Sequence, residues 1–406
     1  MKTSVWALFL CVLNLQAGDW PQYLGAGRDS TAAADEKVIE GAAEPEVLWK
    51  KELGTGYAGP VVAGGVVFVC HRSGDDMLTE ALDAQSGETK WKHRYTTNYR
   101  DSFGFDNGPR AVPCVAECRV ITHGAEGRVQ ALAAKDGKEL WSFDTVAELD
   151  SPAGFFGRAC SPIVVEGKVL LNVGGSGNAG IIALDAESGK LVWKATAHPA
   201  SYASPVLVPG EKEVTAFFTR MGITVLEAST GEAFANEEFR ADIDASVNAA
   251  SPVPCGPGRL LFSASYDVGC GVWQWDAAKK TFENVWRAHD ALDCHYSTPV
   301  AHEGHVFGFH GRQESGTRLR CISAADGKVL WEAPESTPGG TLIRVGDKLL
   351  IVTEDGELWI VKASAEKYER LRADQILRRG HRSHAAFANG VLFARDAEKM
   401  IAVRVR

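Results

Sequence analysis

Short apolar runs alternate with polar turns along almost the whole chain, and one such pattern recurs. In each copy an apolar strand leads into a polar turn ending in glycine, and a second strand follows. The copies are Ala81–Trp91, Ala131–Trp141, Ala183–Trp193, Val225–Ala235 and Cys321–Trp331. Asp and Ser side chains can bond nearby backbone N–H groups in these turns, and glycine tolerates a positive φ. The pattern predicts a β-hairpin in each copy.

The spacing of these hairpins predicts a repeat architecture. The unit returns roughly every 40 to 50 residues, a period typical of propellers, solenoids and arrays. A proline opens an apolar strand upstream of most hairpins, at Pro60, Pro113, Pro162, Pro205, Pro252 and Pro299. The same register places two further strand starts at Thr341 and Ala385. We therefore predict eight blades of four antiparallel strands. Blades five, seven and eight have degenerate hairpins, so seven blades is the alternative.

The two ends of the chain complement each other. Glu46–Leu53 has the pattern of the second half of a repeat, whereas Ala385–Arg406 contains three short strands and lacks a fourth. An N-terminal strand that completes the C-terminal blade would close a ring and remove its exposed edges. We therefore expect an all-β propeller formed as a single domain by residues 45–406, rather than a solenoid.

The N-terminus has the pattern of a secretory signal. Lys2 precedes the apolar stretch Val5–Leu15, and Ala17 ends a small-residue cleavage site. The stretch is too short for a membrane-spanning helix. We predict a signal peptide over residues 1–17 and an irregular extension over 18–44. The expected product is exported, periplasmic or extracellular, soluble after cleavage, not membrane-spanning and monomeric.

Charge and cysteine content narrow the function classes. The formal net charge of −9 gives no electrostatic footprint for nucleic acid, so we expect no nucleic-acid partner. Of nine cysteines, Cys11 lies in the leader, and the other eight permit disulfides whose connectivity stays open. Cys114 and Cys118 have no matching Cys or His pair downstream, so we predict no metal site.

The recurring hairpin resembles a known family. The pattern Ala-x-Asp-x-x-Ser/Thr-Gly-x-x-x-Trp is similar to the repeat of PQQ-type (quinoprotein) propellers and of the outer-membrane assembly factor BamB. Further motifs resemble exported bacterial PQQ-like propellers that mostly lack an assigned activity, namely Asp19–Tyr23, Gly108–Pro113, Ser201–Pro205, His295–Pro299 and Gly311–Glu314. The resemblance implies that a tryptophan stacks between adjacent blades, at Trp91, Trp141, Trp193 and Trp331.

The resemblance also bears on cofactors and catalysis. The family's dehydrogenases hold PQQ with a vicinal Cys–Cys disulfide, a floor tryptophan, a bound Ca²⁺ and a catalytic aspartate. Here no two cysteines are adjacent, and no acidic run has calcium-loop spacing. We therefore expect no cofactor, PQQ included. Because nucleophile-elbow, P-loop and H-E-x-x-H motifs are absent from the sequence, we assign no catalytic residue.

Residues just before the strand-opening positions should converge on one mouth of the central channel. The register collects there Tyr57, Arg110, Arg158, Tyr202, Asn248, His295, Tyr296, His381 and Arg382. Guanidinium groups and tyrosine rings suit carboxylate, sulfate or sugar ligands. We predict a ligand site at this mouth, and the alternative is that these side chains only line a wet channel. Arg312 and Glu314 are secondary candidates, with a surface salt bridge as their alternative role.

The two longest connections should reach the same face. They run from Trp91 to Pro113 and from Trp141 to Pro162, and their aromatic residues are Tyr95, Tyr99, Phe103, Phe105, Phe155 and Phe156. Long loops on a rigid scaffold often carry binding residues. The sequence leaves open whether these rings form a binding surface or pack as a local mini-core.

We interpret the protein as a non-enzymatic binding or assembly module. Its expected partner is an anionic or carbohydrate ligand, or another exported or outer-membrane protein, bound at the channel mouth. The alternative is an enzyme at the same mouth, either a quinoprotein-like dehydrogenase or an enzyme acting on carbohydrate or polymer. An enzyme predicts a titratable pair with perturbed pKa values in the mouth, whereas a scaffold predicts an apolar or acidic patch on the rim.

Overall fold

The structure is a computed structural model that describes residues 18–38, 44–243, 247–380 and 382–405. The predicted signal peptide lies outside the described residues, as do part of the predicted extension and the candidate site residue His381. All statements below refer to the described part of the chain.

Alternating apolar positions fold the chain into eight four-stranded antiparallel sheets. The first strand, β1 (Glu46–Glu52), belongs to the last sheet, and the first two blades follow it in chain order. Blade 1 contains β2 (Val61–Ala63), β3 (Val66–Ser73), β4 (Asp76–Asp83) and β5 (Thr89–Thr96). Blade 2 contains β6 (Cys114–Ala116), β7 (Arg119–His123), β8 (Arg128–Ala133) and β9 (Glu139–Asp144).

A single short helix separates blade 2 from blade 3. It is α1 (Thr145–Leu149), whose N-terminus is capped because the Asp144 carboxylate accepts bonds from the backbone N–H groups of Val146 and Ala147. Asp150 ends it in the left-handed conformation, with φ 51°. In the described residues no helix has the length and apolar character needed to cross a membrane.

Blades 3, 4 and 5 keep the same order. Blade 3 contains β10 (Ile163–Val165), β11 (Lys168–Gly175), β12 (Ala179–Asp185) and β13 (Leu191–Ala195). Blade 4 contains β14 (Val206–Leu207), β15 (Val214–Thr219), β16 (Gly222–Glu227) and β17 (Ala233–Glu238). Blade 5 contains β18 (Val253–Gly256), β19 (Arg259–Ala264), β20 (Gly269–Asp276) and β21 (Thr281–Ala288).

The last three blades complete the ring. Blade 6 contains β22 (Val300–His302), β23 (His305–Arg312), β24 (Gly316–Ser323) and β25 (Val329–Glu332). Blade 7 contains β26 (Gly340–Val345), β27 (Lys348–Thr353), β28 (Glu357–Lys362) and β29 (Arg370–Gln375). Blade 8 contains β30 (Ala386–Ala388), β31 (Val391–Arg395) and β32 (Lys399–Arg404), with β1 as its fourth strand.

The N-terminal strand closes the ring. β1 pairs antiparallel with β32, so that Glu46 lies opposite Arg404 and Glu52 opposite Lys399. The eight-bladed propeller predicted from the repeat register is thereby confirmed, and the seven-bladed alternative is wrong. The hairpins of blades 5, 7 and 8 are degenerate in sequence but still form complete four-stranded sheets, so the count is eight.

The hydrophobic core is divided among the gaps between neighbouring blades. Between blades 2 and 3, for example, Ile121 and Val129 pack with Val169 and Leu171 in one fully buried cluster. Equivalent clusters fill the other gaps. Middle strands are buried on both faces and therefore consist of continuous apolar runs, whereas outer strands alternate.

Tryptophans at the ends of the repeats connect adjacent blades. Each indole N–H donates to a backbone carbonyl of the next blade at 2.8–3.0 Å, in the pairs Trp49–Ala84, Trp91–Ala134, Trp141–Ala186, Trp193–Ala228, Trp286–Ala324 and Trp331–Ser364. The turn glycine lies against the same ring: a Cβ on Gly137 would lie 2.4 Å from Trp91. Gly137 also has φ 72°, so both its conformation and its lack of a side chain are required.

A second set of bonds joins the blades around the channel. The backbone N–H of the residue before a strand-opening proline donates to the hydroxyl of the equivalent residue in the next blade. The bonds of 2.9–3.0 Å run from Val112 to Ser161, Ser161 to Ser204, Ser204 to Ser251 and Ser251 to Thr298. The Ser/Thr-Pro dipeptides therefore fix the radial position of each blade.

The segment 18–38 lies across the channel. Trp20 exchanges backbone bonds with Val62 of blade 1, and the Arg28 guanidinium donates to the carbonyls of Ser161 and Pro162 near blade 3. On the opposite side, the Arg344 N–H of blade 7 donates to the Ser30 carbonyl at 2.7 Å. Because these contacts lie on opposite sides of the ring, this plug segment closes the channel behind the mouth.

The gap between blades 8 and 1 contains a buried ion cluster. Glu80, 1% exposed, lies 2.8 Å from Lys92, 3.0 Å from His71 and 3.8 Å from Lys51 of β1. Burial acts to raise the pKa of Glu80, but the hydrogen bonds from His71 and Lys92 outweigh it and hold the pKa at about 2. The carboxylate therefore favours the folded state at neutral pH.

Glu80→Gln should lower the free energy of unfolding at pH 7 by roughly 2 kcal/mol, because a charge-assisted set of bonds is lost. Since the folded pKa lies below the unfolded value of about 4.3, the stabilisation is present above pH 4.3 and disappears as the pH falls towards 2. Urea unfolding of both proteins between pH 7 and pH 2.5 measures this convergence. Glu369→Gln, which removes an exposed ion pair with Lys362, is the control and should change little. A constant difference at all pH values would contradict the assignment.

Candidate functional site

A cavity of about 430 Å³ opens at the channel mouth. Aromatic rings form most of its wall, at Tyr57, Phe103, Phe105, Phe155, Phe156, Tyr202, Tyr266 and Tyr296. Polar groups project among them, at Arg110, His295, Gln313, Glu314 and Arg382. Tyr23, Ser161, Ser204 and His384 lie deeper, where the plug segment meets the inner ends of the blades. An apolar cavity with a few convergent polar groups is the default form of a ligand site.

The structure brings together six of the nine mouth residues selected from the sequence. Tyr57, Arg110, Tyr202, His295, Tyr296 and Arg382 line the cavity, and Glu314 joins them. Arg312 lies beside the cavity, with its guanidinium 4.3 Å from the ring centre of Tyr266 and 3.2 Å from the Glu314 carboxylate.

Arg158 and Asn248 do not line the cavity. Arg158 is 4% exposed, and its guanidinium donates to the side chain and carbonyl of Ser151 and to the Ala125 carbonyl. The Asn248 amide donates to the carbonyls of Thr219 and Phe239 at 2.8 and 3.1 Å. Each side chain thus bonds the backbone of its own connection and of a neighbouring segment, the β7–β8 turn for Arg158 and the end of β15 for Asn248. The repeat register does not encode this direction.

Arg110 lies between two aromatic rings. Its guanidinium carbon is 5.5 Å from the ring centre of Tyr57 and 5.9 Å from that of Phe156, both within cation–π range. It donates to the carbonyls of Asp106 and Gly108 at 3.2 and 3.5 Å, and it lies 3.5 Å from the buried Asp101 carboxylate. These contacts position the guanidinium but do not use all five of its N–H donors.

Asp101 orders the first aromatic loop. Its buried carboxylate accepts bonds from the backbone N–H groups of Phe103, Phe105 and Asp106 at 3.4, 2.7 and 3.2 Å. The side chains of Phe103 and Phe105 nevertheless stay exposed, at 56% and 61%. The loop is therefore held in place while it presents two phenylalanines to solvent, so these two rings do not form the buried mini-core that was the alternative.

Tyr202 orders the second aromatic loop. Its hydroxyl accepts bonds from the backbone N–H groups of Phe155 and Phe156 at 3.0 and 2.9 Å. Burial raises the pKa of Tyr202, so the ring remains neutral. Phe156 lies 5.1 Å from Phe103 between ring centres, and this contact joins the two loops into one aromatic rim.

A carboxylate missed by the sequence reasoning stands behind the opposite wall. Glu354, at the end of β27, is 6% exposed, accepts a bond from the Tyr296 hydroxyl and lies 3.3 Å from Arg382. Burial, together with the Glu354 charge, raises the pKa of Tyr296 well above its usual value, and burial also raises the pKa of Glu354. Only the folded ring brings these groups together, since they come from three separate connections.

His295 is neutral in this wall. Its Nδ1 lies 2.5 Å from the Gln313 side-chain oxygen, and burial lowers its pKa. The Gln313 amide in turn donates to Glu314 at 3.1 Å. Within the described lining, the charged groups are therefore Arg110, Arg382 and Glu314. Each of them has a partner outside the lining, namely Asp101 for Arg110, Glu354 for Arg382 and Arg312 for Glu314. The lining itself therefore holds two guanidinium groups and one carboxylate.

The lining does not fit PQQ as the resemblance describes its binding. Tyrosine and phenylalanine rings line the cavity and tryptophan is absent from the described lining, while the sequence has no vicinal cysteine pair. Within the described residues, His, Cys, Asp and Glu nowhere form a group of three that could hold a metal ion. The thiols of Cys70, Cys114, Cys160, Cys255, Cys270, Cys294 and Cys321 are free. We therefore derive no step through the quinone.

Comparison with known proteins places the chain in a family. The family model described as "Outer membrane protein assembly factor BamB" matches residues 34–287. The chain belongs to this family of PQQ-like propellers. BamB of Burkholderia pseudomallei (strain K96243) is 26% identical over 315 residues, which cover 75% of this chain and 65% of that protein.

Quinone-dependent enzymes also match the chain, over a smaller part of their length. Quinohemoprotein alcohol dehydrogenase ADH-IIG of Pseudomonas putida is 31% identical over 151 residues, covering 36% of this chain and 20% of that enzyme. The chain thus matches about a fifth of the length of this dehydrogenase.

Solved structures show the same fold. The crystal structure of BamB from Moraxella catarrhalis aligns with a TM-score of 0.64 at 15% identity, covering 89% of this chain and 98% of that chain. Quinohemoprotein alcohol dehydrogenase from Comamonas testosteroni aligns with a TM-score of 0.67 at 14% identity, covering 97% and 81%. At this identity the likeness establishes the propeller and carries no activity.

Asp101→Ala should loosen the aromatic rim without unfolding the propeller. The backbone N–H groups of Phe103, Phe105 and Asp106 lose their acceptor, so their hydrogen exchange should accelerate at least about 10-fold. Hydrogen–deuterium exchange by mass spectrometry measures this, with the strands of blade 5 as the internal control. Unchanged exchange in the loop would show that the carboxylate does not hold it.

Proposed function

We propose that this protein is an exported, non-enzymatic binding and assembly module that holds a segment of a partner protein in the mouth cavity. The segment is recognised by its aromatic and acidic side chains. The observation that supports this most directly is the aromatic rim, in which Phe103 and Phe105 stay exposed beside an apolar cavity that contains two guanidinium groups.

The rim has the properties of a binding surface. Exposed apolar residues are common when scattered, but adjacent ones beside a cavity are typical of interaction sites. Asp101 and Tyr202 hold the two loops through backbone bonds, so little ordering entropy is lost on binding. Aromatic anchors near the centre of an interface usually contribute much of its affinity.

The charges favour an acidic segment. Arg110 lies between Tyr57 and Phe156, and its contacts to the Asp101 carboxylate and to two backbone carbonyls leave some of its five N–H donors for a partner carboxylate. Such a charge-assisted bond is stronger than a neutral one. An anionic ligand or an acidic carbohydrate would use the same donors, and both serve as competing probes in the test below.

The comparisons support the choice of a protein partner. Relatives named as outer membrane protein assembly factors cover most of this chain, including BamB of Yersinia pestis with 88% of both chains at 21% identity. The dehydrogenase ADH-IIG matches 36% of this chain and 20% of its own length in sequence. The predicted leader over residues 1–17 is the basis for proposing that the protein acts outside the cytoplasm.

Peptides test the proposal directly. The purified mature protein should bind acetyl-Phe-Asp-Phe-amide with an affinity about 10-fold higher than that for acetyl-Phe-Asn-Phe-amide, because the pair differs only in the carboxylate. Arg110→Met should abolish this preference. The double variant Phe103→Ser/Phe105→Ser should lower the affinity for both peptides by about 10-fold. Isothermal titration calorimetry measures the affinity of both peptides for the wild type and for each variant.

Leu371→Ser is the matched control, because Leu371 is an exposed apolar residue on the outer strand of blade 7 and should leave both affinities unchanged. Equal binding of the two peptides would refute the acidic preference. Preferential, saturable binding of acidic oligosaccharides that Arg110→Met abolishes would replace the protein partner with a glycan.

One observation favours a second candidate, an enzyme at the same mouth. The Tyr296–Glu354 pair has raised pKa values on both groups, as expected for a titratable pair in an active site. Glu354 is bonded to Tyr296 and Arg382 and is not part of the cavity lining, so a structural role explains the shifts equally well.

A thermal-shift titration with PQQ and Ca²⁺ separates the two candidates. A quinone whose free concentration is about 100 times its dissociation constant would stabilise the protein by about 2.7 kcal/mol. We expect no saturable shift, because the described lining lacks a flat tryptophan floor and the described residues contain no group of three metal ligands. A saturable shift would make the quinoprotein dehydrogenase the better proposal.

A further inference from the structure

A second cavity, of about 670 Å³, opens next to the mouth cavity. It lies between the β19–β20 turn of blade 5 and the β23–β24 turn of blade 6, and Tyr266 lines both cavities. Acidic and basic side chains line it, namely Asp267, Asp293, Arg312, Arg318 and Glu332, together with His310. The proposed function above does not use this cavity.

Asp293 is the unusual group in this wall. It is 8% exposed; one carboxylate oxygen accepts a bond from the Asp267 backbone N–H at 3.3 Å, and the other is buried and has no partner within the described residues. Burial raises the pKa of Asp293 to about 6. A buried carboxylate without a cation or a full set of donors is costly, so such groups normally have a partner.

The backbone next to Asp293 is held in a rare conformation. Tyr266 and Asp267, at the tip of the β19–β20 turn, both have φ 65°, a conformation that non-glycine residues seldom adopt. It directs the Asp267 N–H at Asp293, and the Asp267 carboxylate lines the same cavity, where its charge adds to burial in raising the pKa of Asp293. Strain of this kind persists where the surrounding structure enforces it, often at binding sites.

The neighbouring cations do not neutralise this pair of carboxylates. Arg312 is bonded to Glu314 at 3.2 Å, and Arg318 lies 3.3 Å from Glu332. His310 accepts a bond from the Asp293 backbone N–H on its Nδ1, and burial lowers its pKa, so it is neutral. Burial raises the pKa of Asp293, and the charge of Arg312 offsets this rise only in part. The cavity therefore keeps an excess of negative charge at Asp267 and Asp293.

We propose that this second cavity binds an alkylammonium group, which pairs with the carboxylates of Asp293 and Asp267. An ammonium group has three donors and a compact charge, so it can bond two carboxylates at once. A metal ion suits the site less well, because within the described residues no third His, Cys, Asp or Glu completes a set of ligands. The ammonium group belongs either to a lysine side chain or to a free small amine.

The site is independent of the mouth cavity. Its acidic groups come from blade 5 and the connection to blade 6, whereas the mouth uses Arg110 and the aromatic rim near blades 2 and 3. Because Tyr266 separates the two cavities, one ligand segment with acidic and basic side chains could also contact both. Binding at one cavity can therefore be detected whether or not a ligand binds at the other.

Calorimetric titration of the mature protein at pH 7.5 tests the proposal with three probes. Nα-acetyl-lysine-methylamide presents the ammonium group in a peptide, its Nε-acetylated form is the neutral analogue, and n-butylamine is the free amine. We expect one bound lysine probe per chain and at least about 10-fold weaker binding of the neutral analogue. Tighter binding of the lysine probe than of n-butylamine assigns the site to peptide lysine, and equal or weaker binding assigns it to a small amine.

Variants locate the binding. Asp293→Asn keeps the acceptor for the Asp267 N–H and should lower the affinity for the lysine probe at least about 10-fold. Asp267→Asn serves as a second variant and should weaken it less, because its carboxylate is more exposed. Asp290→Asn removes an exposed carboxylate three positions away and should leave the affinity unchanged.

The pH dependence follows from the carboxylate. As the pH falls through about 6, Asp293 gains a proton, so the affinity for the lysine probe should drop several-fold between pH 7.5 and pH 5. The other charged or titratable groups that face this cavity are Asp267, His310, Arg312, Arg318 and Glu332. If the affinity of Asp293→Asn no longer falls between pH 7.5 and pH 5, the pH dependence is due to Asp293. Equal binding of the neutral analogue, undiminished binding to Asp293→Asn, or no binding of either amine would overturn the proposal. The affinities of the mouth cavity for the two phenylalanine-containing peptides test the proposed function separately, so either proposal can fail without the other.

Discussion

The structure depends on the pairing of the first strand with the last. Each blade buries its faces only against its two neighbours, so an open ring would leave two blades exposed. The β1–β32 ladder prevents this, and the Glu80 ion cluster and Arg395 add to it. Arg395 is fully buried and donates to the carbonyls of Cys70 and Gly54, which joins blade 8 to blade 1 across the closing gap.

Closure also explains where the functional groups lie. With every strand engaged, the ring is a rigid frame, and the connections between blades are free to vary. The plug segment closes the channel, so the mouth becomes a cavity with a floor rather than a pore. The aromatic rim and the second cavity are then built by neighbouring connections that the ring holds at fixed distances.

The fold was largely predictable because repeat proteins encode one local unit many times. The hairpin turns, the strand-opening prolines and the unmatched ends of the chain each predict the same ring, and consistency of this kind is typical of a well-specified fold. The site was predictable only in part. Register placed Arg110, Tyr296 and Arg382 at the mouth but could not show that Arg158 and Asn248 turn away from it to bond backbone carbonyls.

By itself, the sequence determined the repeat architecture, the closing strand and the set of connections that meet at the mouth, because these follow from the period and from the local chemistry of turns. The structure decided between eight blades and seven. The tertiary structure alone decided which side chains share a cavity. Glu354 meets Tyr296, and Asp267 meets Asp293, across connections far apart in the chain. Side-chain direction and burial depend on neighbouring blades, and a repeat pattern contains no information about those long-range contacts.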